Sequence, residues 1–230
     1  AGFAQAAHAV GRSALMLSGG ATLGFFHLGV VKALFEAKLL PEVLSGSSTG
    51  AMIAAGVACR TDAELAEMFA HPEQMERRGL VPLPLREMWS RRSVLSPEAL
   101  YATLRANIGE VTFGEAHART GRVLNISVSP THRSQKPRLL SHLTSPTVLV
   151  PSAALASSAL PGLFPPVTLY AREPGGEVVS WLPEERWIDG SMLGDLPMMR
   201  VSRLHNVNHF IVSQTNPHVI PFLAAPGGGP

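Results

Sequence analysis

The chain holds a single cysteine, Cys59, among its 230 residues, which excludes an internal disulfide and any cysteine-based metal cluster. A reducing compartment fits that usage. Charge is also scarce. Charged residues make up 16% of the chain and the net charge is only +2, with no long Lys/Arg tract interleaved with aromatics, so nucleic acid is not an expected partner. The N-terminal "AGFAQAAHAV" has neither a Met nor a charged segment leading into an apolar core, so it does not read as a secretory leader. A spanning helix needs roughly 20 continuous apolar residues. The uncharged stretch from Leu139 to Ala171 is long enough, but Pro146, Pro151, Pro161, Pro165 and Pro166 break any helix there, and buried loops and short segments are expected instead. No set of His, Asp and Glu has metal-ligand spacing, and neither a metal nor a cofactor is expected.

Apolar residues reach 46%, the composition of a globular chain with one sizeable core. "SALMLSG" (13–19) reads as a buried strand ending in glycine, and "FFHLGVVKALFEAKLL" (25–40) as a helix stopped by Pro41. "EVLSG" (42–46) is a second strand and "TGAMIAAGVAC" (49–59) a second helix. Further helix starts are expected at Thr61-Asp62 and Ser96-Pro97. Strand character returns at "RVLNISVS" (122–129), "WIDGSMLGDLP" (187–197) is a strand end and loop, and "VNHFIVSQ" (207–214) is a last strand. This alternation predicts an α/β fold with helices on both faces of a mostly parallel sheet. Residues 1–223 are expected to form one domain, with 224–230 a Gly/Pro-rich tail or linker of a longer chain.

Chemistry concentrates in two early turns. "GSSTG" has the form G-x-S-x-G with Ser48 central, a serine forced onto a tight strand-to-helix turn whose following helix aims its amides at developing negative charge. The alternative is an ordinary polar helix cap. "LSGGATLG" (17–24) ends the first strand, and in a parallel sheet both turns lie at the carboxyl edge, so the amides of Gly19, Gly20 and Ala21 face Ser48 in the layout of an oxyanion hole. Nucleotide binding is disfavoured. Ala21 stands where a dinucleotide fingerprint needs its second glycine, and no lysine completes a phosphate loop. The base is left open at this stage. His205 or His209 would follow Asp189 in Ser–Asp–His order, or Asp189 in "WIDGSMLGDLP" contacts Ser48 directly and acts as general base.

Together, "SGGATLG", "GSSTG" and the late "DGS" resemble the patatin-like phospholipase family. The stretches "ASSALPGLFPPV" (156–167), "DGSMLGDLP" (189–197) and "VNHFIVSQTNPHVIPFL" (207–223) are similar to its triacylglycerol-lipase-like branch, and the resemblance runs from about residue 13 to 223. It implies a three-layer α/β/α fold and hydrolysis of lipid acyl esters by a Ser–Asp dyad without histidine. By position, Ser48 is then the nucleophile, Asp189 the base, and Gly19, Gly20 and Ala21 the oxyanion-hole turn. The resemblance also implies a lipid ester as substrate, peripheral contact with a membrane or lipid-droplet surface, and a cytoplasmic or peripheral-membrane location. Transfer of the acyl group to another lipid, or lipid binding without turnover, are the alternative activities. Many family members carry a third glycine and then Arg or Lys in the first turn, where this chain has Ala21, Thr22 and Leu23. That departure removes a cation for charged head groups and leaves neutral glycerides plausible substrates.

Other residues read as structural. His27 is expected to be a satisfied structural histidine, His209 and His218 to pack near the last strand, and Asp195 to fix its loop. "ERRGLVPLPLREMWSRRSVL" (76–95) mixes Arg77, Arg78, Arg86, Arg91 and Arg92 with Trp89, as either a solvated face or a segment lying on an anionic surface. Phe25, Phe26, Leu160, Leu163 and Phe164 are candidates for an acyl channel or for plain core.

Overall fold

The computed structural model describes residues 10–91, 93–132, 135–162, 164–190 and 196–215, apart from the side chain of Arg91. Strand β1 (Arg12–Leu17) leads through a 3-10 turn (Ala21–Phe26) into helix α1 (His27–Glu36), and β2 (Val43–Gly46) leads into α2 (Thr49–Ala58). Then come α3 (Asp62–Ala70), α4 (Leu85–Arg91), α5 (Pro97–Ile108), α6 (Phe113–Thr120), β3 (Val123–Pro130), β4 (Arg138–Leu140) and α7 (Val150–Ser157). The hairpin β5 (Leu169–Arg172) and β6 (Val178–Trp181), then β7 (Trp187–Asp189), α8 (Met198–His205) and β8 (Val207–Ser213), complete the order.

The main sheet runs β4-β3-β2-β1-β8, with β7 also paired to β3. β1 lies parallel to β2 and β8, and β2 parallel to β3, whereas β4 and β7 are antiparallel to β3. Alternation along the strands makes this a three-layer structure. Leu15 and Leu17 of β1 join Leu44, Ile126 and Val128 in the larger core, beneath α2, α5 and α7. Ala14 and Met16 turn the other way, onto Val43, Val123 and Leu139, where Val201 of α8 covers them. Covered on both faces, β2 and β3 are buried along their whole length, their polar Ser45, Asn125, Ser127 and Ser129 included.

Local chemistry sets the helix ends. Thr61 caps α3 in a reciprocal box with Glu64, and Ser96 accepts from the Ala99 amide at the start of α5. Thr112 and Glu115 build a second capping box for α6. The stretch from Leu139 to Ala171 departs from expectation, because it holds the buried helix α7. Pro151 sits in the first turn of that helix, where its missing N–H would have had no intrahelical partner, so it starts the helix instead of breaking it. Among the described residues no helix is long and apolar enough to cross a membrane.

Candidate active site

β1 and β2 end side by side, Leu17 opposite Gly46, and the two turns that leave them face each other. Gly46 and Gly50 make this close approach possible. A Cβ on Gly50 would lie 2.3 Å from the Leu17 carbonyl oxygen, and one on Gly46 2.3 Å from the Gly50 oxygen. The Ser47 amide donates to the Leu17 carbonyl at 3.1 Å and ties the two turns together. Ser48 then takes φ 53° and ψ −124°, a strained left-handed conformation for a residue with a side chain, and stands at the N-cap of α2 without capping it. The ordinary-cap reading of GSSTG therefore fails, since a capping serine has extended backbone and accepts from the helix amides.

The first turn meets this serine at Gly19, whose Cβ, if present, would be 3.3 Å from the Ser48 Cβ. Its carbonyls are bound by hydroxyls. Gly19 O accepts from Ser18 Oγ at 2.7 Å and Thr215 Oγ1 at 3.0 Å, and Ala21 O accepts from Thr49 Oγ1 at 2.8 Å. Because a trans peptide points its N–H opposite its C=O, the Gly20 amide is turned away from Thr215. Ala21 has φ 48°, so the third residue of the turn adopts a backbone that a glycine would take without strain.

Asp189 ends β7 and pairs with Val128, two residues beyond the point where β3 pairs with Gly46 of β2. Paired residues share a face, so the Asp189 side chain lies on the Val128 side of the sheet, the side of α2 and α7. It is buried. The end of α7 links it to the serine: the Ser48 amide donates to Ser157 Oγ at 3.0 Å, and the Asp189 amide donates to the Ala159 carbonyl at 3.0 Å. Gly190 is sterically required, since a Cβ there would fall 2.4 Å from the Ser127 backbone. Ser157 was not singled out from the sequence, although "ASSALPG" carried it.

Among the described residues, the candidate histidines lie elsewhere or are occupied. His209 is exposed and pairs with Ser13 near the start of β1, at the opposite edge of the sheet from Ser48. His205 bonds through Nε2 to Asn125 Oδ1 at 2.8 Å. Burial first, then the neighbouring His142, Arg12 and His117, push it down to about 4. His27 is buried at the first turn, as expected of a structural residue. Its Nε2 meets the Ser18 carbonyl at 2.9 Å and its Nδ1 meets Ser213 Oγ at 2.7 Å, which fixes the Nε2–H tautomer and leaves neither nitrogen for Ser48. Burial lowers its pKa, against the opposing pull of the Ser18 carbonyl. His218, Ser191 and Asp195 lie outside the described residues. Among the described residues no His/Cys/Asp/Glu group is arranged to hold a metal.

A cavity of about 470 Å³ begins one helical turn beyond Ser48, at Met52, between α2, α5 and the segment 72–81. Phe25, Met52, Ile53, Val57, Leu80 and Leu104 are among the apolar residues that line it. The expected channel residues divide: Phe25 lines this cavity, Phe26 is 72% exposed, Leu160 is half-buried away from it, Phe164 is buried in the core, and Leu163 lies outside the described residues. Adjacent residues in a 3-10 turn point in different directions, so Phe25 and Phe26 cannot share one wall.

A family model described as Patatin-like phospholipase matches residues 15–201. Triacylglycerol lipase SDP1L of Arabidopsis thaliana is 44% identical over 232 residues, covering 94% of this chain and 29% of that protein. Triacylglycerol lipase 4 of Saccharomyces cerevisiae is 40% identical over 229 residues, covering 93% of this chain and 25% of that protein. The chain thus spans less than a third of the length of these relatives. Among solved structures, VipD from Legionella pneumophila aligns with a TM-score of 0.50 at 16% identity, over 87% of this chain and 49% of that one, a likeness of fold alone. The family model covers both early turns, the β7 aspartate and α7 between them, and the chain belongs to the patatin-like phospholipase family.

Proposed function

We propose that residues 1–223 form the catalytic domain of a serine acyl hydrolase of lipid esters, with Ser48 as nucleophile and Asp189 as general base. Ser48 Oγ attacks the ester carbonyl as its proton passes to Asp189, and the amides of the Gly19–Ala21 turn and the α2 N-terminus stabilise the tetrahedral oxyanion. The proton goes to the leaving alcohol, and water then releases the acyl group from Ser48 by the same steps in reverse. The observation that carries this reading is the strained Ser48 elbow facing Gly19 at the end of β2. Strain at a solvent-reachable serine is kept only where surrounding structure enforces it. Acylglycerol is the favoured ester, because Thr22 and Leu23 supply no cation for a charged head group and relatives are named triacylglycerol lipases.

The protein works peripherally, on a lipid surface. Leu23, Phe25 and Phe26 from the first turn and Val81, Leu85 and Trp89 are exposed, and Phe25 and Val81 both line the cavity that begins one helical turn beyond Ser48. Arg77, Arg78 and Arg86 are exposed among them and suit an anionic interface. A panel of triacylglycerol, phospholipid and lysophospholipid emulsions, assayed with wild type and Ser48→Ala, tests the function. Hydrolysis in the variant should fall by at least about a thousandfold. Equal rates in the two proteins would remove Ser48 from the chemistry.

A further inference from the structure

Within residues 43–60 only four side chains or backbones escape full burial: Ser48, Met52, Gly56 and Arg60. They recur every four residues and so form one ridge down α2 from the nucleophile's position. The last three line the cavity. Resting on the reading of Ser48 as nucleophile, we propose that this cavity binds the acyl chain of the substrate, that the Arg60 guanidinium is its floor, and that Gly56 sets the number of carbons bound.

The floor is built from satisfied polar groups. Arg60 folds back along the helix, with Nη1 donating to the Gly56 carbonyl at 2.7 Å and Nη2 to the Asn107 carbonyl. Asn107 in turn holds Glu76 through paired bonds of 3.0 and 2.8 Å. A methylene pushed into this half-buried network would break hydrogen bonds without replacing them. Above the floor the walls are apolar, formed by Met52, Ile53, Val57, Leu100 and Leu104.

The depth follows from helix geometry. Eight residues separate Ser48 from Gly56, which is about 12 Å at a rise of ~1.5 Å per residue. An extended hydrocarbon advances about 1.25 Å per carbon, given bonds of ~1.5 Å at tetrahedral angles. About ten carbons therefore fit between the reacting carbonyl and the guanidinium. Longer chains turn toward the mouth at Phe25 and Val81 and gain no further wall contact.

Gly56 is the position that tunes this depth. A Cβ there would meet only Arg60 Nη1, at 3.5 Å, an ordinary contact, so a side chain is accommodated by the fold and takes its space from the cavity. Alanine also favours the helix over glycine.

The test measures kcat/KM for p-nitrophenyl esters from butyrate to palmitate, below their aggregation concentrations, together with labelling of Ser48 by short and long alkyl fluorophosphonates. In wild type, kcat/KM should rise by up to about fourfold per methylene, the effect of burying one CH₂, and level off near ten carbons. Gly56→Leu should lower the decanoate-to-butyrate ratio at least tenfold and move the plateau to shorter chains. Gly56→Ala, which keeps the helix under any circumstances that glycine does, should lower it by a smaller factor. The inference is overturned if both variants keep the wild-type ratio while Ser48 is still labelled. If no phosphonate labels Ser48 and Ser48→Ala turns over normally, the nucleophile assignment itself fails and the acyl site falls with it, a result distinct from an unchanged chain-length profile.

Discussion

Ser157 accepts the backbone N–H of Ser48 at 3.0 Å, across a sequence separation of 109 residues. The bond joins the end of α7 to the strained turn, and Ala159, two residues on, receives the Asp189 amide. One short segment thus holds both halves of the proposed dyad against the same edge of the sheet.

Removing the Ser157 hydroxyl should loosen this arrangement. In Ser157→Ala the Ser48 amide loses its acceptor in a half-buried site, at a cost of about 1–3 kcal/mol. We expect a lower urea midpoint and a kcat reduced by about tenfold, equivalent to ~1.4 kcal/mol of transition-state stabilisation. Ser157→Thr, which keeps the hydroxyl, should recover most of the loss. An unchanged kcat in the alanine variant would show that the turn is held by its glycines alone.

A second test concerns stability against pH at the opposite edge of the sheet. His205 stacks on His142 at 5.8 Å between ring centroids, and His142 stacks on His117 at 3.8 Å. Asn125 Nδ2 donates to the Leu44 carbonyl, so its Oδ1 accepts from a neutral His205 Nε2–H. Burial, then His142, Arg12 and His117, depress His205 from 6.5 to about 4, so the unfolded chain binds the extra proton first. Its contribution is complete above pH 6.5 and is lost as pH falls from there toward 4, amounting to up to about 3 kcal/mol. His142, lowered by burial, His117 and Arg12, acts in the same direction. Chemical denaturation of wild type and His205→Gln across pH 4–7 should show a smaller slope in the variant. Equal slopes would mean that His205 titrates normally in the folded protein.

The exposed aromatic rim yields a third. Trp89 is 90% exposed on α4, and the segment that holds it carries Arg77, Arg78 and Arg86. Sedimentation with anionic lipid vesicles should show binding that weakens by about tenfold in Trp89→Ala, the loss of roughly 1.5 kcal/mol of apolar burial. Added salt should weaken both proteins further. Retained binding in the variant would assign that face to solvent.

Much of this site was legible in the sequence, for definite reasons. Short apolar runs ending in glycine mark β1 and β2, and the glycines at 46 and 50 are forced by backbone contact, so GSSTG carries the elbow in five residues. The candidate Asp189 stands out in the sequence through its Asp-Gly pair, whose glycine the Ser127 backbone leaves no room to replace. Helix α7 was missed because a proline count does not distinguish a first turn from a helix interior. Of the cavity only Phe25 was legible, because the other walls come from α2, α5 and the 72–81 segment, a meeting set by tertiary packing.

The most direct measurement is mass spectrometry of the protein after reaction with an alkyl fluorophosphonate, comparing wild type with Asp189→Asn and His27→Gln. A single adduct on the Ser48 peptide is predicted in wild type, its formation slowed by at least a hundredfold in Asp189→Asn, the upper range of one general base's effect being about 10⁴. His27→Gln should still label. An adduct formed at the wild-type rate in Asp189→Asn, or abolished by His27→Gln in folded protein, would contradict a serine and a carboxylate working without histidine.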